Sequence, residues 1–344
     1  MIETERRAHE LDIVELTEDL PEFGLRRGER GTVVETFDDP EEAYVLEFVD
    51  GSGSASKLAY GVRPDKLINV NAIAKEHYAL GMRALDNGDY VTAARELNKS
   101  IKLIPSYVRG LQESFRRALV PREDWPRLIA AMQFVILLDP DYTLAKYNLA
   151  IAFLNYGAQQ ANQGDYLEAL HLFQSALRVE AQDEVIALTT ENISTTHTAL
   201  ATRAYQQNDI LTACKHFEAA YTFKHNPRTR QDLALIYFFV GDYYLKQNDA
   251  NNASAYYQWA QDAGLITPEV LNNHGVALAV KGDFDGAIVL FESALAHAPD
   301  DETLRANLLR ASVNRSASEL VTEQTHTDFN PVPDVHFAGL SASV

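Results

Sequence analysis

The chain has 344 residues, 49 of them acidic and 30 basic, giving a net charge of −19 and a sequence pI near 4.9. A field of that sign repels phosphate backbones and anionic lipid surfaces, so nonspecific binding to nucleic acid or membrane is not expected. Hydrophobic residues make up 46%, and glycine plus proline only 17 plus 12 residues, which excludes a disordered or fibrous chain. One cysteine, Cys214, excludes an intrachain disulfide framework and any multi-cysteine metal or cluster site. The best apolar run, Leu128 to Leu138, is too short to span a bilayer. The first residues carry charges of both signs, so no secretory signal is expected and the chain reads as a soluble cytoplasmic protein.

Residues 1–70 hold 17 Asp and Glu against 8 Lys and Arg, a net of −9. Within them, runs rich in β-branched and aromatic residues alternate with breakers: Asp12–Leu16, Gly31–Phe37, Ala43–Val49, Lys57–Val62 and Lys66–Val70. Tyr44, Leu46 and Phe48 alternate with Val45, Glu47 and Val49, the period of a strand with one face in a core. Five short strands in so few residues predict a small closed barrel, which removes exposed sheet edges. Gly51-Ser52-Gly53-Ser54 reads as a hairpin turn between two strands, because it lacks the lysine and following helix of a phosphate loop.

Beyond residue 70 the pattern is helical and repetitive. Asn87-Gly88-Asp89, Gln163-Gly164-Asp165, Gln207-Asn208-Asp209, Gln247-Asn248-Asp249 and Lys281-Gly282-Asp283 hold one position in a unit. The Gly or Asn supplies a left-handed residue that ends one helix, and Asp caps the next. Each is followed at fixed offsets by a small residue (Ala93, Ala169, Ala213, Ala253, Ala287) and then a large one (Leu97, Phe173, Phe217, Tyr257, Phe291). A second small residue follows: Ser100, Ala176, Ala220, Ala260 or Ala294. A small–large–small stripe at i, i+4 and i+7 is one helix face built for the close approach of a neighbour. Spacings of 76, 44, 40 and 34 residues between the units imply a degenerate unit between Arg109 and Pro140 and lengthened helices or loops elsewhere. Six units result, with 302–320 as a polar capping helix.

These residues resemble the tetratricopeptide repeat family, whose period is 34. In the last unit Gly275, Leu278, Ala287, Phe291, Ala294 and Pro299 fall at the family's positions, and in the first Gly81, Ala93 and Pro105 do. The N-terminal region resembles a small bacterial family labelled domain of unknown function 4926. The resemblance rests on Glu10-Leu11-Asp12-Ile13-Val14, Thr17-Glu18-Asp19-Leu20-Pro21, Gly28 to Val34, Glu47-Phe48-Val49-Asp50 and Pro64-Asp65-Lys66-Leu67. It implies an SH3-like barrel and, from short members encoded beside toxin-like genes, an immunity role. The expected organisation is a mainly α chain: barrel 1–70, tetratricopeptide solenoid 71–321 and a disordered tail 322–344.

No catalytic, cofactor-binding or metal-ligating constellation emerges. His77, His197 and His274 fall at inter-helix packing positions, and no His-x-x-x-His or Gly-x-Ser-x-Gly occurs. Cys214, Lys215 and His216 are consecutive, so on a helix they point about 100° apart and do not form a catalytic pair. The barrel's Arg26, Arg27 and Arg30 are offset by Glu22 and Glu29, which argues against RNA binding.

What remains is an interaction surface. The family's groove-facing positions, carried onto this chain, include Tyr78 and Met82 in the first unit and Ile151 and Leu154 in the third. The fourth supplies Thr198 and Tyr205, the fifth Leu235 and Phe238, and the last Asn272 and Val276. Only Lys75 and Asn272 fit the family's carboxylate-clamp pattern, at opposite ends, so a chaperone-tail clamp is not expected. The predicted function is a non-enzymatic adaptor whose groove takes an apolar or amphipathic peptide or helix, with a basic partner on the acidic barrel. The alternative is an immunity-type inhibitor whose barrel masks a basic partner. The chain's own tail, through Phe329 and Phe337, is a candidate occupant of the groove.

Overall fold

The computed structural model describes residues 7–38, 41–49, 56–179 and 182–320, with side chains to 317. The predicted Gly51–Ser54 hairpin and the 322–344 tail with Phe329 and Phe337 lie outside the described residues. The chain forms two compact units, Met1–Ala152 and Phe153–Val344. Its fold is mainly α: among the described residues, six helix–turn–helix pairs and a terminal helix of solenoid type follow an N-terminal antiparallel sheet.

In the first unit the strands are β1 (Ile13–Leu16), β2 (Arg30–Phe37), β3 (Ala43–Val49), β4 (Ser56–Val62) and β5 (Leu67–Asn69). They run in the order β4-β3-β2-β1-β5, with Ile13 opposite Thr32, Val14 opposite Asn69 and Leu46 opposite Ala59. The inward residues Tyr44, Leu46 and Phe48 join Val14, Leu16, Val33 and Val62 in a core, and Gly31 lets the Phe48 ring approach the backbone. Among the described residues β4 and β5 do not pair, so the sheet is open where a closed barrel was expected. β5 ends after three residues at Asn69, whose side chain accepts the Ala72 N–H and caps the helix that follows.

That helix is α1 (Val70–Asp86), paired with α2 (Tyr90–Leu103). Asn69 Nδ2 also donates to Arg7 O and Asp12 Oδ2, the Ile13 N–H donates to Asn71 Oδ1, and Val70, Ala74 and Ile104 pack with Ile13. Sheet and first helix are therefore joined without a linker. The degenerate second pair is α3 (Tyr107–Leu119) and α4 (Trp125–Leu138), holding Val108, Leu111 and Val135 against Leu97 and Ile101. α5 (Thr143–Asn162) follows.

The second unit continues with α6 (Tyr166–Arg178), α7 (Asp183–Gln206), α8 (Ile210–Phe223), α9 (Pro227–Lys246), α10 (Ala250–Asp262), α11 (Pro268–Val280), α12 (Phe284–His297) and α13 (Glu302–Leu320). The punctuation read from the sequence is present throughout. Gly88, Gly164, Asn208, Asn248 and Gly282 all have positive φ, between 60° and 86°. The carboxylates of Asp89, Asp165, Asp209, Asp249 and Asp283 each accept the backbone N–H three residues on. Each such cap is worth about 1 kcal/mol.

The small–large contact also recurs. A Cβ added at Gly81, Gly157, Gly241 or Gly275 would lie 2.6–2.7 Å from Leu97, Phe173, Tyr257 or Phe291, each sixteen residues on. In the fourth unit Ala201 replaces the glycine and is fully buried opposite Phe217. A second recurrent contact swaps sides: Ser100 of α2 donates to Ala74 O of α1, while Ser194 of α7 donates to Ala220 O of α8, both at 2.8 Å.

The uneven spacing has a simple source. Second helices stay at 13 or 14 residues, whereas α7 has 24 and α9 has 20 against 13 in α11. α11 begins 7 residues before its glycine, and α9 begins 14 before Gly241. The added turns therefore extend the N-terminal end of the first helix.

Candidate functional site

The first helices carry the candidate surface, and burial divides the ten predicted positions in half. Tyr78, Met82, Ile151, Thr198 and Tyr205 are half-buried. Leu154, Leu235, Phe238, Asn272 and Val276 are buried at 6% exposure or less. Tyr78 lies beside Tyr107, and Tyr205 beside Phe239, with ring centroids 5.3 and 5.4 Å apart. Lys75 is exposed while Asn272 is fully buried, and they belong to different units.

Along α7 the hydroxyls turn inward. Thr195, Thr198 and Thr202 donate to the carbonyls of Glu191, Ser194 and Thr198, four residues back. Their protons are spent on the helix itself. What α7 presents is methyl groups and acceptor lone pairs, with Tyr205 at its C-terminal end.

In the last pairs the corresponding positions form a closed polar chain. Asn307 Nδ2 donates to Asn272 Oδ1, Asn272 Nδ2 to Asn273 Oδ1, Asn273 Nδ2 to Asp242 Oδ1, and Tyr257 Oη to the same Asp242 oxygen. Asn272, Asn273, Asn307 and Tyr257 are each at most 1% exposed. Burial and the neighbouring Asp242 charge hold the Tyr257 phenol well above its ordinary range. Buried amides of this kind fix the register of neighbouring helices, since each would be costly unpaired.

The histidines pack as the sequence implied. His274 is buried between Ser254 Oγ at 3.1 Å and Gln261 Nε2 at 2.7 Å, and burial lowers its pKa to about 4. His197 Nδ1 faces His216 Nδ1 at 3.1 Å, with Phe223 stacked on the His197 ring. Burial, then repulsion from His216, lowers His197 to about 4. His77 Nδ1 meets Glu96 Oε2 at 2.7 Å, and Lys99 and Arg95 hold the Glu96 carboxyl down at about 2. Among the described residues no group of three or more His, Cys, Asp or Glu side chains is placed to hold a metal ion. The Cys214 thiol is buried and pushed up to about 12, chiefly by desolvation and then by Glu218. It is an inert thiol. No described helix is long and apolar enough to cross a membrane.

One feature escaped the sequence: two adjoining cavities lined by residues of α8, α9 and α10 such as Tyr221, Arg230 and Trp259. No single motif encodes it. The only trace was the 40-residue spacing, which marks the added turns of α9 where Arg230 and Leu233 sit.

Residues 241–302 match the tetratricopeptide repeat family, and residues 10–68 match a domain of unknown function, DUF4926. Over those two stretches the chain is similar to tetratricopeptide repeats and to that second domain type. No curated protein matches the sequence. Among solved structures, the chain resembles the P58(IPK) TPR domain at 16% identity, covering 72% of this chain and 66% of that one, with a TM-score of 0.29. The Cut9–Hcn1 APC/C hetero-tetramer gives 20% identity over 69% and 42%, with a TM-score of 0.27. A TPR repeats protein from Bacteroides fragilis gives 13% over 70% and 98%, with a TM-score of 0.30. The chain thus spans less than two thirds of the first two.

Proposed function

We propose that this protein is a cytoplasmic, non-enzymatic adaptor whose helical repeats bind a partner protein. The observation that supports this most is the first-helix surface of the fourth unit. There Thr195 is exposed, Thr198, Thr202 and Tyr205 are half-buried, and the hydroxyls are already satisfied by α7's own carbonyls. Such a surface gains free energy by covering methyls and an aromatic ring at about 25 cal/mol per Å². It offers no cation for a carboxylate, so the fitting occupant is an apolar or amphipathic peptide or helix. Tyr78 and Met82 of the first repeat and Ile151 of the third are proposed as further positions of this kind.

The division of labour proposed is by sequence: 1–70 as an acidic domain suited to a basic partner, and 71–321 as the repeat array. Capture from a cell extract tests the reading. The full chain should retain a partner that the Thr195→Arg/Thr198→Arg variant, with an unchanged circular-dichroism spectrum, fails to retain. Equal capture by both would remove the α7 surface from the proposal.

A further inference from the structure

The cavity on α8, α9 and α10 has a chemistry of its own. Arg230, Leu233 and Tyr237 of α9 lie three and four residues apart and so form one stripe. At about 100° per residue this stripe is centred roughly 140° around the helix from Leu235, Phe238 and Asp242. Arg230 and Leu233 belong to the seven residues added at the start of α9, so the cavity is a product of that lengthening. It measures about 490 Å³ and adjoins a second cavity of about 560 Å³ that shares Tyr221, Arg230 and Ala263.

Its walls are rings and carboxylates. Tyr237 and Trp259 stand 5.7 Å apart at 54°, Tyr256 meets Trp259 edge-on at 4.8 Å, and Trp259 is 45% exposed. Tyr221 closes the α8 side. Glu218 accepts from Tyr237 Oη at 3.2 Å, and Asp262 accepts from Gln258 Nε2 at 2.9 Å. Among the described residues neither carboxylate is in an ion pair. The lining cation, Arg230, donates through Nη2 to the Asp262 backbone carbonyl at 2.9 Å and leaves both carboxylates to a guest.

The geometry points to a recognition pocket for one lysine or arginine side chain of a partner polypeptide, on a face distinct from the α7 surface. Aromatic faces and unpaired carboxylates both favour a cation, and the aliphatic stem of such a residue covers the rings. The protein's net charge of −19 adds attraction for a basic partner. Residues 321–344 contain no lysine or arginine and so do not supply the guest. This inference rests on the adaptor reading, and it adds both the place and the residue that anchors there.

A peptide array probed with the full-length protein tests it. Bound twelve-residue peptides should be enriched in arginine and lysine, and replacing the key arginine by its neutral isostere citrulline should weaken binding about tenfold. Trp259→Ala and Glu218→Gln, both at sites with access to solvent, should abolish the enrichment, while Thr195→Arg/Thr198→Arg leaves it intact. Binders without basic excess, binding indifferent to citrulline, or no binders would each overturn the pocket. Binders lost only with the α7 variant would overturn it while leaving the adaptor reading standing.

Discussion

The close glycine–ring contact in the repeats yields a quantitative test. In the last unit a Cβ at Gly275 would sit 2.7 Å from Phe291 Cε1 and 3.0 Å from two further ring carbons. Phe291 is fully buried in a core with Val276, Ala279, Phe284 and Ala287, so the ring has nowhere to retreat. Gly275→Ala therefore sets a gain against a cost. The gain is about 1 kcal/mol of helix propensity; the cost is about 1–3 kcal/mol of overpacking. Phe291→Ala alone should cost about 3–5 kcal/mol. In that background the ring is gone, and Gly275→Ala should become stabilising by about 1 kcal/mol. The double-mutant cycle then gives a coupling energy of about 1–3 kcal/mol. Ala201 supplies the internal control: Ala201→Gly, opposite Phe217, should simply lose about 1 kcal/mol of propensity. Urea unfolding followed by circular dichroism, with hydrogen exchange in α11 and α12 as the local readout, measures each corner. A coupling below about 0.4 kcal/mol would refute the close-approach argument.

Other expectations follow from single groups. Asp249→Ala removes the carboxylate that accepts the Asn252 N–H and should cost about 1 kcal/mol, read as faster exchange in the first turn of α10. His274 is held neutral, with a folded pKa of about 4 against an ordinary 6.5. The unfolded chain binds more protons between those values, so this stability is complete above about pH 6.5 and lost as pH falls toward 4. Thermal melts should fall over that window, and His274→Gln should flatten the decline; an unchanged slope would reject the assignment. Cys214, with its thiol near 12, should react with a disulfide reagent at pH 8 at least 100-fold more slowly in the native protein than in urea.

The repeats were legible because their chemistry is local. Asp89, Asp165, Asp209, Asp249 and Asp283 announce their caps, and the left-handed Gly or Asn before each announces the turn. The five strands are likewise visible in side-chain alternation. Closure was not, because alternation within a strand tells which side chains face the core and not whether the edge strands β4 and β5 meet. The groove was half legible. Position counting identifies a helix face but not what packs over it; Leu235 and Phe238 are buried in the folded array, and Asn272 is locked to Asn273 and Asn307. The pocket around Trp259 was not legible, because Glu218, Tyr237 and Trp259 converge from three helices.

The most direct test of the adaptor account is parallel capture from a cell extract by the full-length chain, Thr195→Arg/Thr198→Arg and Trp259→Ala, with bound proteins identified by mass spectrometry. The account predicts a shared partner retained by the wild type and lost from the α7 variant, with the Trp259 variant losing a basic subset. Identical captures by all three proteins would contradict it.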